Sequence, residues 1–495
     1  MSLRRLFRTK SIESLLRERE EAQRGWKRVL GARDLIVLGI GAIIGAGIFA
    51  NIGTAIAGDQ VRLGAGAALL VSFVFTGTAC VLAGLCYAEL ASLVPVSGSA
   101  YTYAYATLGE LIAWIIGWDL ILEYAVGNVA VAVSWSGYFC ECLSSIGLEF
   151  PRWLATDLRT ALDPLQPKYD PAILAGAPHV LGIPIVFNLP AVVIVAAITT
   201  LLILGIRESA RFTAVMVIIK LLALGFFVIV AGQHFNAENW RPFAPNGWKG
   251  IQTGAAVMFF AFIGFDAVST TAEECRNPKR DLPIGILGSL AVCTVIYVIV
   301  GVVVTGAVRW DSLNTAEPLA TVLKTLNLPN AAGIVSLGSL VAHTAVLLVF
   351  QLGQPRILCV MARDGLLPPA LAKTHGRFKT PYVATILTGL FVGVGSAVAS
   401  LDEMADLCNI GTLSAFVIAC LGVLVLRWKE PGRPRAFRTP WVPVVPILGV
   451  GACLYLMLGL PWTAWVRFVI WLAVGLTFYG CYGVWRSRLH ARAAM

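Results

Sequence analysis

Twelve apolar stretches of roughly 20 residues, the length that crosses a hydrocarbon core of about 30 Å, recur near 34–56, 66–91, 110–139, 188–206, 210–232, 250–273, 284–308, 332–355, 381–400, 403–426, 441–460 and 464–485. The segments between them are polar, and the longest, about 141–187, is rich in Pro and Asp. That pattern predicts an all-α integral membrane protein of twelve transmembrane helices with no soluble domain of useful size. Residues 1–33 are polar and basic, with an amphipathic lead-in from Ser11 to Arg28. The apolar run that follows is too long for the core of a signal peptide, so no cleavable leader is expected.

Two of the stretches are interrupted. The first holds Gly39, Gly41, Gly45 and Gly47 within nine residues, and the sixth holds Ile263-Gly264-Phe265-Asp266 at mid-depth. A Gly-x-x-x-Gly packing face accounts for Gly41 and Gly45 taken alone. Interruptions at matching positions of two halves point instead to an inverted repeat with a midplane site. The expected organisation is a cytoplasmic segment 1–33, a first five-helix repeat 34–232, a second five-helix repeat 250–426, two accessory helices 441–485 and a cytoplasmic tail 486–495. The glycine run also mimics a dinucleotide fingerprint, but no strand precedes it, so that reading fails.

Composition agrees with the pattern: 58% of residues are apolar and 13% charged, against about 25% charged in soluble domains. With the N-terminus inside, 28 of the 38 Lys and Arg fall in cytoplasmic stretches, nine fall outside, and Lys220 lies in the membrane. This positive-inside bias predicts a multi-pass inner-membrane protein with both termini cytoplasmic. It also accounts for the net charge of +10 through topology and anionic lipid heads, so nucleic acid is not an expected partner. The eleven cysteines include no CxxC pair and mostly fall in apolar spans, where they pack as small residues. Cys140 and Cys142, near the outer face, are the one pair with redox potential.

A broken membrane helix exposes N–H groups where its second half starts and C=O groups where its first half ends, which is tolerated only where a cavity or ligand satisfies them. N–H groups at a positive helix terminus suit a carboxylate, and free carbonyls suit an ammonium. An α-amino acid presents both. The small residues of Ile44-Gly45-Ala46-Gly47-Ile48-Phe49 let a carboxylate approach the backbone, and Phe260-Ala261-Phe262-Ile263-Gly264 offers carbonyls, with Phe259 or Phe260 as an aromatic lid.

Ionisable residues at membrane depth are functional candidates. Lys220 lies nine residues beyond Arg211, about 14 Å into its helix at 1.5 Å per residue. Glu123 lies thirteen residues beyond Glu110, about 20 Å in. Either the two form an ion pair locking the third span to the fifth, or Lys220 exchanges a proton with the transport path. Asp119 stands one turn from Glu123, Asp266 reads as a cap for the second half-helix, and His343 reads as a hydrogen-bonded packing residue. No His-Asp, Ser-His or metal-ligand cluster occurs at membrane depth, which argues against an enzyme, a metal site or a cofactor.

The strings Gly41-Ala-Ile-Ile-Gly-Ala-Gly-Ile-Phe49, Cys86-Tyr-Ala-Glu89, Pro95-Val-Ser-Gly-Ser-Ala-Tyr-Thr-Tyr103, Gly117-Trp-Asp-Leu-Ile-Leu-Glu-Tyr124 and Gly264-Phe-Asp266 resemble the amino acid–polyamine–organocation superfamily. So do Glu273-Glu274 with Asn277-Pro278, Arg280-Asp-Leu-Pro-Ile-Gly285 and Arg363-Asp-Gly-Leu-Leu-Pro368. Within it, from about residue 30 to 485, the chain looks like a bacterial member of the cationic amino acid transporter family. The resemblance implies a LeuT-like five-plus-five fold and proton-coupled uptake of L-amino acids, small and neutral or cationic. It places the substrate carboxylate at Ile44, Gly45, Ala46 and Gly47, and the amino group at carbonyls of Phe260, Ala261 and Ile263. Lys220 matches the fifth-span lysine that replaces a sodium site in proton-coupled relatives, and Glu123 matches the third-span glutamate associated with that lysine and with the substrate side chain. Phe350 stands where eukaryotic cationic carriers tend to have a small residue, leaving less room for an arginine side chain. The expected partners are an L-amino acid, protons, the lipid bilayer and, in an unassigned role, a small membrane subunit. An exchanger is the nearest alternative, with Lys220 weighing against it; a non-transporting nutrient receptor would need a signalling domain that the sequence lacks.

Overall fold

The computed structural model describes residues 6–15, 29–96, 98–164, 166, 169–180, 182–205, 210–272, 274–378 and 380–489. Most of the amphipathic lead-in, Ser97 and Glu273 of the motifs, the side chain of Arg211 and the tail from 490 lie outside them. Each expected apolar stretch contains a helix: α1 (Ala32–Ile43) continued by α2 (Ile52–Ala57), α3 (Leu69–Leu93), α4 (Glu110–Ile121) continued by α5 (Gly127–Ser145), α6 (Leu189–Ile203), α7 (Ala210–Gly232), α8 (Gly247–Met258), α9 (Pro278–Ala307), α10 (Pro329–Arg363), α11 (Tyr382–Val398), α12 (Leu401–Lys429), α13 (Val444–Met457) and α14 (Trp462–Phe478). Among the described residues eight helical runs are long and apolar enough to cross a membrane, and the bent α1–α2 pair makes a ninth. α6, α11 and α13 are apolar but have only 15, 17 and 14 residues, short of the roughly 20 needed for a crossing. The only strand pairing among the described residues is a two-residue hairpin, His179–Val180 with Ile183–Pro184, in the long connection.

Local sequence sets the ends. Pro278 and Pro329 open α9 and α10, where a missing N–H is harmless. Asn188 accepts a bond from the Ala191 amide to start α6. α12 carries Asp402 and Glu403 in its first turn and Arg427 and Lys429 in its last, the arrangement that complements the helix dipole. Sidedness is equally explicit on α7: Val215, Ile218, Leu222 and Ile229 are exposed apolar residues, while Lys220 is fully buried. The apolar face suits lipid and the lysine is turned into the protein.

α9 packs against both α1 and α3, and α10 packs against α5 and α7. These helices surround the two interruptions. The first stretch bends by 42° between Ile43 and Gly47 and resumes as a π-helical turn, Gly47–Asn51. The sixth stretch ends α8 in a 3₁₀ turn, Phe259–Ala261, and resumes as a 3₁₀ segment, Asp266–Thr271, rather than as the α-helix expected. Gly264 has φ +114° between them, and a Cβ there would lie 2.9 Å from the Ala42 carbonyl oxygen. Only glycine fits that conformation and that approach.

Candidate functional site

The two breaks touch. A Cβ on Gly47 would stand 2.2 Å from the Ala261 Cα, and one on Gly45 would stand 2.6 Å from Val346 Cγ2 of α10. The Tyr297 hydroxyl of α9 joins the breaks, donating at 2.8 Å to the Ala261 carbonyl and lying 3.0 Å from that of Ile43. Sequence reading missed Tyr297, and a tyrosine among the apolar residues of the seventh stretch was its only signal. Asn409 of α12 similarly donates to the Ala256 carbonyl at 3.0 Å, and Tyr138 of α5 to that of Phe49 at 2.6 Å. The broken backbone is thus held by neutral donors from three neighbouring helices, as membrane burial requires.

Lys220 reaches the same place from the other side. Its Nζ donates to the Gly41 and Ile44 carbonyls, both at 2.8 Å, and so closes the end of the first half-helix where its dipole is negative. It makes no ion pair with Glu123, and the expected lock between the third and fifth spans is not formed. Two backbone carbonyls at that helix end, rather than the Glu123 carboxylate, are the partners of the lysine.

Glu123 faces the Asp266 carboxyl instead. It sits in a π-helical turn, Leu122–Val126, that interrupts the third span; such bulges recur at functional sites because they redirect side chains. Asp266 is the first residue inside its 3₁₀ segment, whose N-cap is Phe265, and its Oδ2 is 3.4 Å from the Tyr124 hydroxyl. It therefore points toward the third span rather than acting as a simple cap. Both Glu123 oxygens and Asp266 Oδ1 are buried without a hydrogen-bond partner. Phe350 packs on Tyr124 with ring centroids 5.4 Å apart, which brings it to the same end of the site as Glu123. Asp119 is turned to α12, where its Oδ2 accepts from Ser414 at 2.7 Å. His343 is a packing residue as expected: Nε2 is 2.7 Å from Ser134 Oγ, Nδ1 is 2.7 Å from the Ser339 carbonyl, and the ring lies against Phe49 and Tyr138. Phe259 packs edge-on against Phe416, and Phe260 is 6% exposed between the breaks. Cys140 and Cys142 carry free thiols.

Two buried ion-pair clusters tie connecting segments to the helices around the site. Beyond α2, the Arg62 guanidinium meets Asp59 at 2.5 Å, Asp406 at 2.6 Å and Asp402 at 3.7 Å. Burial lowers the pKa of that guanidinium, and the three carboxylates outweigh it, leaving the value raised. In the N-terminal segment, Lys10 meets Asp364 at the end of α10 at 2.7 Å, and the Tyr101 hydroxyl donates to the same carboxylate at 2.7 Å.

A family model described as amino acid permease matches residues 30–479. The chain belongs to the amino acid permease family. It is 47% identical to the branched-chain amino acid permease of Bacillus subtilis (strain 168) over 98% of this chain and 99% of that one. It is 43% identical to the methylthioribose transporter of the same organism over 98% of each, and 36% identical to a vacuolar cationic amino acid transporter of Arabidopsis thaliana over 86% of this chain and 68% of that one. This permease is thus a multi-pass membrane transporter of the amino acid–polyamine–organocation superfamily and not an enzyme.

Proposed function

We propose that the permease imports neutral L-amino acids of small to branched size with a proton, by alternating access around the two breaks. The observation that carries the coupling is the Lys220 ammonium on the Gly41 and Ile44 carbonyls. Charge-assisted bonds to the end of the first half-helix fix one orientation of the first span, and loss of the proton weakens them and frees it. The substrate carboxylate meets the amides of Gly45, Ala46 and Gly47, and its ammonium meets carbonyls of Phe260, Ala261 and Ile263. Ala261 already accepts from Tyr297, so its second lone pair is the one offered to substrate. The side chain then points toward Tyr124, Phe350 and Glu123. The packed rings favour an apolar side chain, in keeping with the relative that is 47% identical, a branched-chain amino acid permease, and a bare carboxyl beside them is where a cationic side chain would have to pair.

In this reading all twelve stretches cross the membrane, short α6, α11 and α13 included, with both termini cytoplasmic and a LeuT-like arrangement of two five-helix repeats. Proteoliposome uptake tests it. Leucine and alanine should accumulate against their gradients when an inward proton gradient is imposed and should only equilibrate without one. Accumulation independent of the proton gradient, or uptake of methylthioribose with none of amino acids, overturns the proposal.

A further inference from the structure

The start of α9 carries a second feature, remote from the breaks. A cleft of about 730 Å³ is lined by Asn277, Lys279 and Arg280 at its polar end and by Ile284, Leu287 and Phe437 along its walls. Lys279 and Arg280 are exposed, and neither has an acidic partner among the described residues. Asp281, the acid in the same turn, is 8% exposed, with its carboxyl beside Cys275 inside the protein. Positive charge is therefore presented to the cleft while the neighbouring negative charge is withdrawn from it. Gly288 also lines the cleft, and a Cβ there would meet Ile36 of α1 at 3.0 Å, so the glycine lets the two helices approach beneath it. Beyond Ile284 the same helix continues with exposed Val292, Val295 and Ile299, an apolar track facing the hydrocarbon.

We infer that this cleft is a binding site for an anionic phospholipid, whose phosphate pairs with Lys279 and Arg280 while an acyl chain lies along Ile284, Leu287 and the outward face of α9. Two cations at the start of a membrane helix followed immediately by an open apolar groove match a lipid at both ends, whereas a free phosphate would use only the cations. Arginine supplies planar, paired donors to phosphate oxygens and lysine a point charge. Each basic residue near an anionic surface contributes about 1 kcal/mol.

Native mass spectrometry of the full-length protein in detergent, titrated with phosphatidylglycerol or phosphatidylcholine, tests the site. Phosphatidylglycerol should bind at least tenfold tighter than phosphatidylcholine, and 10-millimolar-range inorganic phosphate, on the order of ordinary buffer strength, should not displace it if the groove rather than charge alone holds the lipid. Lys279→Gln with Arg280→Gln should weaken phosphatidylglycerol about thirtyfold, or about 2 kcal/mol. Ile284→Trp keeps both charges and fills the groove, so it should weaken the lipid as well, and it serves should the double variant not fold. Unchanged phosphatidylglycerol affinity in the folded variants, equal affinity for the two lipids, or ready displacement by phosphate overturns the assignment.

Discussion

Gly47 and Gly45 look alike in sequence, and their surroundings separate them. A side chain on Gly47 meets backbone atoms of Ala261, within 2.6 Å of its N and 2.2 Å of its Cα, and backbone of a packed break has no rotamer to change. Gly45 faces the end of the Val346 side chain, which can turn. Gly47→Ala is therefore expected to abolish uptake and lower the melting temperature, with Gly45→Ala keeping part of both; equal behaviour of the two in a melting and uptake series would count against the packing account. A large residue at Gly47 should therefore cost the break-to-break contact as well as access of a carboxylate to the backbone. Phe350 makes the second residue-scale case. Its ring rests on Tyr124, so Phe350→Ser should open space at the Glu123 end, raise arginine or lysine transport relative to alanine, and destabilise the protein by about 3–5 kcal/mol. A melting curve with competition uptake checks both, and an unchanged substrate preference would place the specificity elsewhere.

At the scale of elements, the interrupted first stretch depends on what its neighbours donate. Hydrogen bonds from a charged donor contribute about 1.5–3 kcal/mol each, and Lys220 makes two of them to one helix end. Lys220→Ala leaves the Gly41 and Ile44 carbonyls without these donors. The expected outcome is loss of proton-driven accumulation, with exchange of amino acid across the membrane reduced less than net uptake. If the variant still concentrates substrate under a proton gradient, the lysine is a structural cap and coupling passes to Glu123 and Asp266, of whose buried oxygens only Asp266 Oδ2 has a hydrogen-bond partner. Glu123→Gln acts on that carboxyl pair and not on the lysine, because the two spans do not form the ion pair expected from depth alone.

At the scale of the whole molecule, the connection after the first span is tied to α12 by Arg62 with Asp402 and Asp406, and the N-terminal segment is tied to the end of α10 by Lys10 with Asp364, which also holds Tyr101. A carrier that alternates must release these ties in turn. Lys10→Ala removes one tie at the N-terminal side from the Asp364 carboxylate, which is 12% exposed. It should speed thiol labelling of a cysteine introduced at Ala104 from the N-terminal side, with little change in labelling from the opposite side. Removing Arg62 is different in kind: it strands clustered carboxylates, and breaking buried pairs costs about 3–5 kcal/mol, so Arg62→Ala should lower stability before it alters gating. Equal labelling in Lys10→Ala and the unmodified protein would show that the N-terminal tie does not restrain opening.

The apolar periodicity, the glycine interruptions and the buried lysine were legible in the chain because each is a local conflict with the membrane: length sets a crossing, a broken helix exposes backbone, and a charge at depth demands a partner. Family membership was legible because ordered motifs carry it. The identity of each partner was not, because partners come from helices far away in sequence. Lys220 is 176 residues from Ile44, and Tyr297 bridges Ile43 and Ala261 from a third helix. Depth along an axis placed Lys220 and Glu123 at similar heights, but only packing fixed their directions around the helices, and the π-turn at Leu122–Val126 turned Glu123 toward Asp266. Sequence determined which groups had to be satisfied, and the tertiary structure decided by which neighbours, since hydrogen bonds in a low-dielectric interior depend on ångström-scale approach that no spacing along one helix specifies.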